Sequence, residues 1–321
     1  MKGLYTIFKK ELCDHFSSYR FVILFALIAM ISVITSYMVG VHLKENLKGL
    51  ANTKFPFLML FSTAGALFSM VQFVGFFGPL IGLVLGFDSI NRERAHRTLV
   101  KLVSQPIYRD SVINGKFLAG VTTITIMLVS IVMAISGFGM AFVGLVPGIE
   151  EVLRLFLYIL ISIFYISFWL GISIMFSTFF DSIATSALAS VALWIFLSFF
   201  VPLGANVAAN TAAPINSQKE SQIETLKKNL RVKEMASLFS PTVLYSEATA
   251  TIIDPRLNTT RASSVLGMGP VEQLLASRFK NPLPLNQSII VVLPHITALV
   301  AITMICFAIS YITFMIQEIR T

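Results

Sequence analysis

The sequence predicts an all-α integral membrane protein with six transmembrane helices, and three observations predict it. Of the 321 residues, 56% are apolar and 12% are charged, where soluble domains carry about a quarter charged residues. The mean hydropathy is +0.81. Six apolar runs are each long enough to cross a hydrocarbon core, which takes about 20 helical residues. The net charge of +8 would suit nucleic acid if the basic residues clustered with exposed aromatics, but they are spread over membrane-flanking loops, so nucleic-acid binding is excluded. Cys13 and Cys306 fall in the amino-terminal helix and the last run, which indicates neither a disulfide nor a metal framework. No cleavable signal peptide is evident, because the first residues are amphipathic and the run after them is long enough to span.

Residues 1–20 are too charged to cross a bilayer. Leu4, Phe8, Leu12 and Phe16 recur every fourth residue while Lys2, Lys9, Lys10, Glu11 and Asp14 lie mostly elsewhere, the pattern of an interfacial helix. Residues 21–41 form the first span. Residues 57–87 are apolar for longer than one crossing needs, so their first part either lies along the interface or extends a tilted helix. Gly78, Gly82 and Gly86 repeat every four residues there, a smooth stripe for close helix packing or for a dimer contact. Pro79 is placed to kink the helix.

The polar block 88–116 follows. Arg92, Arg94, Arg97, Lys101, Arg109 and Lys116 outnumber Asp88, Glu93 and Asp110, and that excess marks a cytoplasmic loop. Ala95, Leu99, Leu102 and Val103 stand at helical spacing, so 92–103 reads as a short amphipathic helix. Pro106 ends it. Spans three, four and five are expected at 117–145, 152–180 and 182–203, with a tight turn at Asp181 and Ser182. Ala184, Ser186, Ala187 and Ala189 favour close packing of span five on span four. Arg154 is expected to snorkel to water.

Within this plan 21–205 is the membrane domain up to span five, 206–286 an extracytoplasmic domain, and 287–321 the sixth span with a cytoplasmic stub. A solvated helix is expected over 217–238, stopped by Pro241. Six spans put both termini on one side, and the basic residues of the short loops place that side in the cytoplasm.

The ordered string Glu93-Arg94, Thr98-Leu99, Gln105-Pro106, Arg109 and Gly115-Lys116-Phe117 resembles the cytoplasmic loop of permeases of the ABC type 2 exporter class. The nearest subgroup is similar to the permeases associated with nitrous oxide reductase maturation. The segment KKELCDHFSSYRF likewise resembles the elbow helix of that family. The resemblance implies a cell-membrane permease without an ATP site of its own, paired with a second copy or a similar permease. Two ATPase subunits made elsewhere would hold ATP and Mg. It makes 92–103 the coupling helix and assigns ATPase contact to Glu93, Arg94, Arg97, Thr98, Leu99, Leu102, Val103, Pro106, Arg109, Gly115 and Lys116. Leu99, Leu102 and Val103 would fill a groove, with Glu93, Arg94 and Arg97 in rim pairs. The family usually has Gly where this chain has Arg97.

The residues carry no catalytic or metal constellation of their own. Gly115-Lys116 continues into Phe117 and has Asp110 where a phosphate-binding loop needs its first Gly. Gln72 and His295 are the notable polar side chains in the spans, and no buried carboxylate pair marks ion coupling. His295, without a partner His, Cys or carboxylate nearby in sequence, reads as a packed histidine. An assembly factor, enzyme or receptor whose outer domain does the work is the alternative reading.

Overall fold

The computed structural model describes residues 2–45, 55–62, 69–98, 108–212, 229, 232, 235, 239–253 and 284–316. Among them every regular element is helical. Six helices are long and apolar enough to cross a membrane: Tyr19–Val41, Met70–Ala95, Arg109–Val143, Ile149–Phe179, Ile183–Ala212 and Leu285–Ile316. They are spans one to six below. The amino-terminal helix Lys2–Ser17 precedes them.

Span four is the axis. Its central stretch is the most buried of the six, and spans two, three, five and six all pack on it. The sequence permits this because small and hydroxylated residues are set among its large apolar ones. Ser162 and Thr178 bond the carbonyls of Tyr158 (2.8 Å) and Ile174 (2.9 Å) of their own helix, so their polarity is satisfied without water. Ser173 instead donates across to the carbonyl of Leu83 at 2.7 Å.

Span two meets that surface with its glycines. A Cβ on Gly82 would lie 2.6 Å from the carbonyl oxygen of Ile166, and one on Gly86 would lie 2.8 Å from Ser173 Cβ. Gly78, Gly82 and Gly86 thus all face span four inside the subunit. Span five packs on span four, as expected, through only part of the predicted set. Ser186 and Ser190 face inward while Ala184 is exposed.

Several boundaries move. Phe57–Leu60 is a separate buried 3-10 turn, and span two starts at Met70, where Ser69 and Gln72 form a reciprocal capping box at 3.0 and 3.1 Å. Gln72 is thus a helix cap, not a polar group in mid-span. Span five runs on to Ala212 through a π-helical turn at Phe196–Phe200, past the expected end at 203. Most of 217–238 lies outside the described residues.

Pro241 does not merely stop a helix; it starts one. Proline suits the first helical position because its missing N–H would be unpaired there, and Pro241–Ile253 packs against spans two, four and six. Its start is bonded to three neighbours. Ser240 Oγ donates to the carbonyl of Leu197 at 2.8 Å, Thr242 Oγ1 lies 2.8 Å from Ser198 Oγ and 3.1 Å from Tyr165 Oη, and Tyr165 donates to the carbonyl of Gly75 at 2.8 Å. The π-helical turn supplies Leu197 and Ser198, so the irregularity in span five seats this inserted helix. Part of the segment assigned to an outer domain is thereby built into the bundle.

Arg154 is also corrected. It is fully buried, not snorkelling. Its guanidinium bonds Glu150 at 2.9 Å, the carbonyl of Ile252 at 3.1 Å and Ser288 Oγ at 3.3 Å, and lies 5.0 Å from the ring centre of Phe55. Glu151 beside it accepts the backbone N–H of Phe57 at 2.9 Å and of Gly148 at 2.8 Å. Two residues about one helical turn apart, Glu151 and Arg154, thus tie the 3-10 turn, the inserted helix and span six to one end of span four.

Candidate functional site

The amino-terminal helix lies against the base of span three. Ile7 and Glu11, one turn apart, form its buried edge, and Gly115 gives that edge room: a Cβ there would stand 2.9 Å from Ile7 Cγ2. Lys116 follows. It is 3% exposed and donates to Glu11 Oε1 at 2.8 Å and Glu93 Oε1 at 3.0 Å. Phe117 turns a further step around the helix, and its ring centre lies 4.3 Å from that of Phe307 in span six. The three consecutive residues Gly115, Lys116 and Phe117 therefore engage the amino-terminal helix, the loop and span six.

Around the buried triad stands a polar rim. Lys10 Nζ reaches Glu11 at 2.9 Å, Glu93 at 3.2 Å and Asp14 at 3.4 Å, and Arg92 lies 3.8 Å from Asp14. The acids Glu11, Asp14 and Glu93 are matched by Lys10, Arg92 and Lys116, which is the condition for holding charge at a buried site. Burial raises the Glu11 carboxyl, but the Lys116 and Lys10 ammonium groups outweigh it and hold it down to about 2. Burial lowers Lys10, and Glu11 and Glu93 more than reverse this, raising it. The sign for stability follows. The contribution of Glu11 is complete above its unfolded value of 4.5 and disappears as pH falls toward about 2. That of Lys10 is complete below 10.5 and is lost only above it. Corrected for the intrinsic rate, amide exchange over residues 2–17 is therefore expected to be level from about pH 7 to pH 10 and to accelerate as pH falls further, first because burial lowers the pKa of His15 from 6.5 and then as Glu11 is protonated below about pH 4.

The loop that supplies Glu93 is held from the other side. Ser177 Oγ accepts the backbone N–H groups of Ile90 at 3.0 Å and Asn91 at 3.2 Å. Arg94 pairs with Asp181 in the turn between spans four and five, and Asn91 donates to the carbonyl of Ser182 at 3.4 Å. Arg20 reaches Asp88 at 3.2 Å and lies over the Phe87 ring. Beyond the loop, Arg109 donates to the carbonyl of Met315 at 3.3 Å, so it caps the end of span six.

The expected helix over 92–103 is not continuous. Its first piece is Asn91–Ala95, and Arg97 then takes φ 54°, the left-handed region that glycine occupies without cost. Thr98 Oγ1 closes the turn by donating to the carbonyl of Glu93 at 3.1 Å. The place where the resembling family has Gly is thus a place where the backbone calls for Gly. Replacing Arg97→Gly is expected to raise stability by about 1 kcal/mol, read as a higher melting temperature; an unchanged or lower one would show the turn to be unstrained.

The sequence-predicted residues fall into three groups. Glu93, Gly115 and Lys116 meet in the cluster, and Glu93, expected in a rim pair with a partner, is turned inward instead. Arg94, Thr98 and Arg109 hold the loop and the end of span six, and Arg97 makes the turn. Leu99, Leu102, Val103, Gln105 and Pro106 lie outside the described residues. Lys10, Glu11, Asp14, Ser177 and Asp181 were missed. The available signal was Glu11 one turn after Ile7, since an acid on an otherwise apolar helix edge needs a cation. Among the described residues no group of three or more His, Cys, Asp or Glu side chains could hold a metal ion.

The family model described as ABC-2 family transporter protein matches residues 5–319. No curated protein matches the chain.

Proposed function

The chain belongs to the ABC-2 transporter family, the membrane permeases of ABC transporters, and we propose that it passes the movement of a separate ATPase subunit to its spans through the Lys116 cluster. The partner binds ATP and Mg; this chain contributes the path. The observation that carries the reading is the convergence of Glu11, Glu93 and Lys116, with distances of 2.8 and 3.0 Å to Lys116 Nζ. The amino-terminal helix, the loop and span three cannot move independently while those buried charges stay paired. Arg94 with Asp181 extends the joint to spans four and five.

In this reading the loop face is cytoplasmic, in the cell membrane, and the segment containing Leu99, Leu102 and Val103 meets the ATPase. A second copy or a similar permease completes the complex, and the direction is export. The likeness to permeases associated with nitrous oxide reductase maturation names the first setting in which to seek the partner. The test is isolation of the full-length protein from its native membrane, with identification of what co-purifies and assay of ATP hydrolysis. A stoichiometric ATPase subunit is expected, lost when Leu99→Asp and Leu102→Asp are combined. A preparation without one, or one whose ATPase stays bound to that variant, would overturn the assignment of this surface.

A further inference from the structure

The inserted helix Pro241–Ile253 and span six meet along a seam with two polar ties. One is Arg154, which bonds the carbonyl of Ile252 and Ser288 Oγ. The other lies two helical turns further along span six, where His295 Nε2 stands 3.0 Å from Glu247 Oε2. Both side chains are almost enclosed, at 12% and 14% exposure, and the partner carboxylate that the sequence did not reveal is Glu247. Pro294 precedes His295 inside span six. It removes one backbone donor from the helix at that level, which is where a helix bends most readily. The proline and the tie are adjacent residues.

We propose that Glu247 and His295 form a proton-binding latch that ties the inserted helix to span six beside Pro294, more firmly when His295 is protonated. With a neutral imidazole the contact is a hydrogen bond to a carboxylate. With imidazolium it is an ion pair in a nearly dry seam, a stronger bond of the same geometry. His295 Nδ1 is buried with no hydrogen-bond partner among the described residues, so a second N–H on the ring gains no acceptor there.

Among the described residues, the charged and titratable groups of span three, Arg109, Asp110 and Lys116, stand at the far end of the bundle from this pair. From span four come Arg154 with Glu150 at the end of the seam and the hydroxyls of Tyr158 and Tyr165; the inserted helix adds Tyr245. Arginine keeps its charge throughout the working range, and phenols keep their protons in the neutral range. The facing stretches of span two, residues 70–86, and of the π-helical turn, residues 196–200, contain no titratable side chain. Among the described groups of this seam, the imidazole is the one of a type that exchanges a proton between about pH 5 and 8. The latch sits at the opposite end of span four from the Lys116 cluster, so it does not depend on the reading of that cluster or of its partner.

The test uses the full-length protein in lipid nanodiscs, with amide exchange of residues 241–253 followed at about pH 8 and about pH 5.5 and corrected for the intrinsic rate. In the wild type, opening of this helix is expected to slow about fivefold at the lower pH. Glu247→Gln and His295→Gln should each abolish the difference, while thermal unfolding reports whether they remain folded. The exchanged pair, Glu247→His with His295→Glu, should restore it. A wild type whose corrected exchange ignores pH would overturn the latch. So would a Gln variant that keeps the wild-type response, or a folded exchanged pair that lacks it.

Discussion

Lys116→Met is expected to destabilise the protein by about 3–5 kcal/mol, because removing one partner of a buried ion group strands the others. Glu11 and Glu93 would be left with side chains 6% and 8% exposed. Among the described residues they would share only Lys10, whose side chain is 48% exposed and so offers a weaker, partly screened field. The loss should concentrate in the amino-terminal helix, which has Ile7 and Glu11 as its buried edge. Exchange over residues 2–17 is expected to rise by at least as much as global unfolding does. Replacing all three charges together, with Lys116→Met, Glu11→Gln and Glu93→Gln, should recover most of the stability, since no buried charge then lacks its counter-charge. A triple variant as unstable as Lys116→Met would mean that the shape of this site, not its charge balance, holds the helix. A Lys116→Met protein melting like the wild type would remove the cluster from the account altogether.

The second large effect is expected at Gly82. A methyl there meets the Ile166 carbonyl oxygen at 2.6 Å and the Leu170 nitrogen at 3.0 Å, and backbone atoms cannot rotate aside as a side-chain end can. Gly82→Ala should therefore push spans two and four apart and cost about 1–3 kcal/mol, the range for overpacking a tight contact. Gly137 is the control. Nothing lies within 4 Å of a Cβ at that position, and Gly137→Ala should be neutral or should stabilise span three by up to about 1 kcal/mol through helix propensity. Unfolding followed by the fluorescence of Trp169, buried on span four, reads both. Equal effects at the two glycines would show that span two is not locked onto span four by its backbone.

What the sequence made legible follows from where its information is local. The six spans could be read because an apolar run of a given length reports its own fate. Their boundaries could not, since Gln72 caps its helix through Ser69 and Phe57–Leu60 is tied to span four by a bond to the distant Glu151. The Gly-Lys-Phe string was visible as a pattern, but its meaning needed three partners from distant parts of the chain. Glu93 shows the limit plainly. A charge in a polar loop reads as a surface group, and only the arrival of Lys116 and the amino-terminal helix turns it inward. His295 failed for the same reason, because Glu247 lies in a segment whose composition resembled an outer loop.

Arg154 carries a consequence for the order in which the chain is made. Of the groups that satisfy it, Glu150 is four residues away in its own helix, while Ile252 and Ser288 lie 98 and 134 residues further on. When span four leaves the ribosome, Glu150 and Phe55 already exist to accompany a cation that the finished bundle seals from water, while Ile252 and Ser288 do not. The end of span four cannot reach its final state until the inserted helix and the first turn of span six have been synthesised. Completion of the carboxyl-terminal helix is thus the step that closes a site opened half a chain earlier.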